Sequence, residues 1–335
     1  MTPKAMSRLL CGTIITLFAA GSDVGAQTVS RTGEDLTKPY LKAQQLVVVE
    51  GHRRLNLYCI GQGRPTVLFD GGGGASTAVW RFVQGEIGKK TGACSYDRAG
   101  FGFSDPPNGP ADARTAVEDI HRLLKAVQIA GPVIYVGHSL AGLFGVLLQA
   151  TYPKDVAAEV LVDPSFADQD FASLAELPAA KSKSWLAPDY DFVASMKGCA
   201  EKTGALPKDC LLSQSDPKPS EVALGALDRR QASQRSYLKT QISEYESFLP
   251  RQGTRNKSVD QEQVEQARPR FGNKPLVILT RDGSPKYWKT GHDKLVSLST
   301  EGHDIVVPGS THSMLNEMPR PVIAAVVGMV EKVRH

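Results

Sequence analysis

Ser139 lies in the run Gly137-His138-Ser139-Leu140-Ala141-Gly142, between the apolar stretch Pro132-Val133-Ile134-Tyr135-Val136 and a second apolar stretch over residues 140–148. The first has the length and composition of a strand covered on both faces in a parallel sheet, and the second is apolar enough for a helix buried all round. Small residues beside a serine at a strand-to-helix turn let the backbone bend sharply and hold the hydroxyl above the sheet edge. Ala141 stands where a glycine is commoner, adding one methyl group on the helix side. A serine hydroxyl is a weak nucleophile until a base takes its proton, and that base needs a third group to orient it. Of the seven histidines, His335 is terminal, His52 falls in a turn, His121 and His292 fall away from the ends of the predicted strands, and His303 opens a strand. His138 adjoins the serine, but its side chain is expected to diverge from it. His312, in Gly309-Ser310-Thr311-His312 after the last predicted strand, is the base best placed to meet Ser139.

The elements that must bring these residues together alternate along the chain. Residues 46–49 and 55–59 read as a hairpin around Gly51-His52-Arg53-Arg54, residues 65–69 as a buried strand running into four glycines at 71–74, and residues 93–96 as a short strand closed by Asp97-Arg98-Ala99-Gly100. Ala116, Ile120, Leu123, Leu124 and Val127 fall on one face of a helix over 114–129. Further strands are predicted at 160–162, 275–279 and 303–307, with a closing helix over 321–333. Strands alternating with helices imply an α/β fold with a mostly parallel sheet. Residues 166–271 break this rhythm: they hold no convincing strand, a long helical pattern over 221–249, and aromatic anchors that disordered segments lack. They are read as a helical cap inserted between two stretches of core, residues 43–165 and 272–335.

At the N-terminus, Lys4 and Arg8 precede an apolar run over 9–20, and Val24-Gly25-Ala26 offers small residues at a processing site. This is the anatomy of a cleavable secretory signal peptide over residues 1–26. Leu9-Leu10 before Cys11 argues against lipoprotein processing. Residues 27–42 are polar and unpatterned and read as a leader on the surface. The mature chain is expected to be exported, periplasmic or secreted, with no stable membrane span, because no internal run approaches the roughly 20 apolar residues such a span needs. The formal charge of +4 is spread over interleaved acids and bases, which gives no nucleic-acid footprint. After loss of Cys11, Cys59, Cys94, Cys199 and Cys210 remain, an even number in a compartment where disulfides persist. Three pairings are open; closing the short Cys199–Cys210 loop contributes about 3 kcal/mol on the chain-entropy model. Cysteine and histidine spacings typical of metal sites are absent, and no cofactor is expected.

Taken jointly, Gly71-Gly72, the run from Tyr96 to Asp105 (Tyr-Asp-Arg-Ala-Gly-Phe-Gly-Phe-Ser-Asp), Gly137-His138-Ser139, Leu161-Val162-Asp163, and His312 with Glu317 and Pro319 resemble the α/β-hydrolase superfamily, in particular its esterase-like branch with a helical cap. The resemblance spans about residue 46 to the C-terminus. It implies an eight-stranded, mostly parallel sheet flanked by helices, in which the second and fourth strands are neighbours, bringing Cys59 and Cys94 into bonding range. It also implies an oxyanion hole formed by the backbone N–H groups of Leu140 and Gly72. The acid of a Ser-His-acid set follows either the sixth or the seventh strand in this superfamily. Asp163, directly ending a predicted strand, is preferred to Asp282, whose Asp282-Gly283-Ser284-Pro285 setting is also that of an ordinary turn. Asp70, where many relatives carry histidine, has no assigned role at this stage.

The function implied is hydrolysis of carboxylic esters of small apolar or aromatic substrates through an acyl-enzyme, with no metal. Trp185, Tyr190, Phe192, Tyr237 and Tyr245 are candidate pocket residues. An acyltransferase or cofactor-free perhydrolase could use the same residues, and a non-catalytic ligand-binding relative would keep the pocket without turnover.

Overall fold

The computed structural model describes residues 36–167, 169, 186–207, 210, 222–250 and 257–335, all within the unit formed by residues 32–335. The predicted signal peptide, most of the leader and Trp185 lie outside the described residues.

The apolar runs pair into one eight-stranded sheet. A hairpin of β1 (Gln45–Glu50) and β2 (Arg53–Ile60) is followed by β3 (Val67–Asp70), β4 (Ala93–Tyr96), β5 (Val133–His138), β6 (Val156–Val162), β7 (Leu276–Arg281) and β8 (Gly302–Val307). Their order across the sheet is β1-β2-β4-β3-β5-β6-β7-β8. β2 is antiparallel to both neighbours, and every other pairing is parallel. The carboxyl ends of β3 and β5–β8 therefore share one edge, where ligands bind in parallel α/β sheets. The pairing of β2 with β4 sets Cys59 opposite Cys94, joined by a disulfide of 2.09 Å.

Eight helices of nine or more residues accompany the sheet among the described residues: α1 (Ala113–Ala126), α2 (Leu140–Thr151), α3 (Ala187–Glu201), α4 (Val222–Ala232), α5 (Arg235–Phe248), α6 (Val259–Ala267), α7 (Lys286–Val296) and α8 (Pro319–Arg334). Strand alternation divides the interior into two cores. Val133 and Tyr135 of β5 meet Ile120 and Leu123 of α1 and Leu147 of α2, whereas Ile134 and Val136 meet Val322 and Val326 of α8. Each such side chain, wholly removed from water, contributes roughly 1.5–3 kcal/mol. Asp112 caps α1, its carboxylate accepting the Thr115 N–H at 2.8 Å, a contact worth about 1 kcal/mol. None of the described helices is long and apolar enough to cross a membrane.

Between β6 and β7 the described residues form α3 to α6 and no strand. Val193 and Met196 of α3 pack on Leu238 and Ile242 of α5, with Tyr190 and Phe192 at the margin and a Cys199–Cys210 disulfide of 2.02 Å beside them. The helical pattern expected over 221–249 is two helices, not one. Gln234 is extended, with ψ of 133°, and the Ser233 hydroxyl donates to the Arg230 carbonyl at 2.6 Å, closing α4 with a side chain that competes for helix carbonyls. The end of the leader also departs from a surface segment. Tyr40 is buried edge-on against Tyr58, and its hydroxyl donates to Gln84 at 3.1 Å, a single aromatic sufficing to dock a polar stretch.

Candidate active site

The turn between β5 and α2 holds Ser139 at φ 54° and ψ −121°, a conformation an L-residue adopts at a cost on the order of 1–3 kcal/mol. The flanking glycines are sterically required. A Cβ on Gly137 would stand 2.7 Å from the Ala141 carbonyl oxygen, and one on Gly142 would stand 2.2 Å from Cβ of Pro164. Ser139 occupies the N-cap position of α2, where serine commonly accepts a first-turn N–H, yet its side chain makes no cap bond. Its hydroxyl lies 3.0 Å from Nε2 of His312 instead. The Leu140 N–H, at the first position of α2, has no acceptor within the helix, and the positive end of the helix dipole lies beside the hydroxyl.

His312 reaches Ser139 from the loop after β8, and its Nδ1 lies 2.5 Å from Oδ2 of Asp163. Asp163 follows β6, has φ of 42° and is fully buried. Its Oδ1 accepts the indole N–H of Trp288 at 2.8 Å and the Arg281 backbone N–H at 3.3 Å, and its Oδ2 also accepts from the Arg281 guanidinium at 2.5 Å. Burial by itself would raise this carboxyl, but the His312 hydrogen bond and the Arg281 charge outweigh it and hold it down at about 2. Asp282 stands on the same edge with its carboxylate accepting the N–H groups of Gly309, at 2.9 Å, and Gly283, at 2.8 Å. The geometry thus joins His312 to Asp163, while Asp282 braces the loop that leads to His312.

Two further histidines support this arrangement. His138 is part of the surroundings of His312: the two ring centroids lie 4.8 Å apart, and Nε2 of His138 lies 3.0 Å from the His312 carbonyl. Burial lowers its pKa to about 4, so it is neutral and its Nε2–H donates to that carbonyl. His292 is not remote from the site: it is fully buried, with Nε2 3.0 Å from the carbonyl of Pro164, next to Asp163.

Gly72 flanks the hydroxyl from the other side, where a Cβ on it would lie 3.1 Å from Cβ of Ser139. Its loop is held by a buried charged cluster that the sequence did not point to. Arg98, in the loop after β4, donates to the carbonyls of Gly71 and Gly72, the latter at 2.6 Å, to Asp70 at 2.8 Å and to Glu244 at 2.9 Å. Asp70 also accepts the hydroxyls of Tyr96 and Tyr135, each at 2.8 Å. Glu244 comes from α5 and accepts the N–H of Gly74 at 2.7 Å with its second oxygen. Burial pushes its carboxyl above the usual range against the opposing charge of Arg98. The lone cation after β4 was the available signal that a buried acid must exist elsewhere. Nothing in α5 marked Glu244, which lies out of phase with the apolar Leu238 and Ile242.

A cavity of about 350 Å³ opens over Ser139 and His312, walled by Leu140, Glu244, Tyr245, Phe248, Arg281 and Trp288. Of the aromatic residues proposed from sequence, Tyr245 lines it. Tyr190 and Phe192 belong to the cluster of α3 and α5, and Tyr237 packs edge-on against Phe101 at 5.4 Å. Phe248 and Trp288 were missed. Among the described residues no His/Cys/Asp/Glu group is placed to hold a metal ion.

The Bacillus subtilis protein YqjL is 31% identical over 119 residues, which cover 36% of this chain and 46% of YqjL, so the chain spans about half the length of that relative. Among solved structures, a candidate lipase from Acinetobacter baumannii superposes with a TM-score of 0.62 at 18% identity, over 92% of this chain and 99% of that one. The meta-cleavage product hydrolase from Pseudomonas fluorescens IP01 superposes with a TM-score of 0.58 at 17% identity, over 87% and 98%. These likenesses share the sheet and its flanking helices. The model of the alpha/beta hydrolase family matches residues 67–325, from β3 into the closing helix α8, and the chain belongs to that family.

Proposed function

We propose that this protein is a serine hydrolase that cleaves carboxylic esters of small apolar or aromatic substrates through an acyl-enzyme. The observation that carries this reading is the unbroken line from Ser139 Oγ through the His312 imidazole to Asp163, with bonds of 3.0 and 2.5 Å, at the floor of a largely apolar cavity. In the first step the Ser139 oxygen bonds to the ester carbonyl carbon while His312 takes its proton. The tetrahedral intermediate then expels the alcohol, which receives that proton from His312. Water, deprotonated by the same imidazole, adds to the acyl carbon; the second tetrahedral intermediate breaks its bond to the Ser139 oxygen, which takes the proton back from His312, and the acid is released. The N–H groups of Leu140 and Gly72 stabilise the oxyanion, each worth on the order of 3 kcal/mol. Asp163 keeps the imidazole in the tautomer with Nε2 open to the serine and stabilises the imidazolium.

In this reading residues 166–271 act as a cap whose α5 supplies the cavity wall. The two disulfides support an oxidising destination and hence export behind a signal peptide over residues 1–26. Labelling with a fluorophosphonate probe tests the nucleophile: intact mass and peptide mapping will place the adduct on Ser139, and an unmodified protein would overturn the reading. A chain-length series of p-nitrophenyl esters, run beside a triglyceride emulsion, tests the substrate class. Turnover is expected to peak on short or aromatic acyl groups; a maximum on the emulsion with an interfacial jump would instead make the helices a lipase lid.

Glu244 offers a separate test of the oxyanion loop. Glu244→Ala removes the partner of the buried Arg98 and the acceptor for the Gly74 N–H, so kcat is expected to fall about tenfold to a hundredfold as the loop shifts. Arg98 keeps Asp70, so stability to urea should fall by roughly 1–3 kcal/mol, the cost of leaving buried donors without an acceptor. Glu244→Gln, which retains an acceptor, should lose less of both; a Glu244→Ala variant with native kcat would show that α5 does not set the loop.

A further inference from the structure

Arg281 ends β7 on the wall of the cavity that contains Ser139 and His312. Its guanidinium is fixed by two contacts: one nitrogen lies 2.5 Å from Oδ2 of Asp163, and its central carbon sits 4.3 Å above the Trp288 ring. A guanidinium has five N–H donors in a rigid fork. Among the described residues the side chain of Arg281 bonds to Asp163 alone, and it retains 23% of its exposure. One N–H of Arg281 helps to keep Asp163 ionised, beside the bonds this carboxylate accepts from Trp288, from the Arg281 backbone and from His312.

The charge balance is uneven across the cavity. Asp163 balances Arg281, and the imidazolium formed when His312 takes the serine proton is balanced by the oxyanion, so this wall is neutral overall while Arg281 keeps N–H donors that Asp163 does not use. Glu244, which also lines the cavity, shares the single charge of the buried Arg98 with Asp70, an excess of negative charge that repels anions. The hydroxyl of Ser165 and the amide of Gln169 line the same cavity and add neutral donors.

We propose that Arg281 forms an anion subsite, and that the preferred substrates are esters carrying a carboxylate on the acyl side, of the half-ester type derived from short dicarboxylic acids. This rests on the reading of Ser139 as nucleophile and revises its substrate class, from apolar esters to small esters with an anionic acyl end. Three hydrogen bonds and one imidazole ring separate Arg281 from Ser139, so the carboxylate belongs a few carbons from the scissile carbonyl. Trp288, Tyr245 and Phe248 cover the intervening chain. Glu244 disfavours the reversed orientation.

The test compares monoethyl succinate with ethyl 4-methylpentanoate, in which an isopropyl group replaces the carboxylate, by pH-stat titration. Wild-type kcat/KM should favour the half-ester by at least about tenfold, chiefly through KM, as for a charge-assisted hydrogen bond. That preference should disappear in Arg281→Gln, persist in part in Arg281→Lys, and shrink as salt is raised. Disturbance of Asp163 lowers both substrates together and cancels in the ratio. A wild-type ratio at or below unity, or a ratio unchanged in Arg281→Gln, would overturn the subsite. Should neither ester turn over, the nucleophile reading fails by itself. The subsite is then decided by calorimetric titration of monomethyl succinate into wild type and Arg281→Gln: binding confined to wild type upholds it, and no binding to wild type overturns it.

Discussion

Ser139→Ala and His312→Ala will each reduce ester turnover by on the order of 10⁴-fold or more, and the double substitution will be little worse than either single one. In the proposed mechanism the two side chains perform one event: an alanine at 139 leaves nothing for the imidazole to deprotonate, and an alanine at 312 leaves the hydroxyl bonded to nothing basic. Neither change should alter the fold. Ser139 makes no cap bond to α2 that alanine would lose, and the His312 side chain is 44% exposed. Steady-state kinetics paired with far-UV circular dichroism checks both statements. Native turnover in either variant would remove the residue from the mechanism, and additive losses in the double variant would separate the two roles.

Asp163→Asn is expected to lower turnover by roughly 10³- to 10⁴-fold, and Asp282→Asn to change it only modestly. All the groups around Asp163 donate: Trp288, the Arg281 backbone and guanidinium, and His312. An amide must turn an NH₂ toward one pair of these donors, which either reverses the imidazole tautomer or leaves buried donors unpaired. Stability should fall as well as activity. The sign of the pH dependence follows from the lowered carboxyl. A group depressed in the folded state stabilises fully above its unfolded pKa, and that contribution is lost as pH falls through the folded value of about 2. Asp163 thus stays ionised throughout the range in which activity is assayed, and an acid limb near neutrality does not belong to it. A larger loss in Asp282→Asn than in Asp163→Asn would move the acid to the seventh strand.

The parts of the fold that the sequence made legible are those in which local composition and tertiary role agree. Residues 132–136 and 140–148 are apolar without interruption because both faces are covered, and the glycines around Ser139 are fixed by contacts of a few ångströms with Ala141 and Pro164. The supports of the site were less legible because they join distant segments. Glu244 meets Arg98 across 146 residues, and Trp288 meets Asp163 across 125. No periodicity records such pairings. The sequence places His292 away from the ends of the predicted strands, yet α7 folds back so that its ring meets the carbonyl next to Asp163. Asp70 was without a role until three partners from β4, its following loop and β5 converged on it.

The clasp between Glu244 and the Gly74 amide also bears on how freely this scaffold can be recombined. Helical inserts look like exchangeable modules, joined to the sheet at two points and open to replacement from another family member. Here the insert carries one half of an ion pair whose other half, Arg98, belongs to the sheet. A transplanted insert without a carboxylate at that place would leave Arg98 buried without its α5 partner and Gly74 without its acceptor, so the chimera would lose the loop beside Ser139 even where its new cavity fits the ligand. In this chain the insert and the Arg98 loop must be exchanged together.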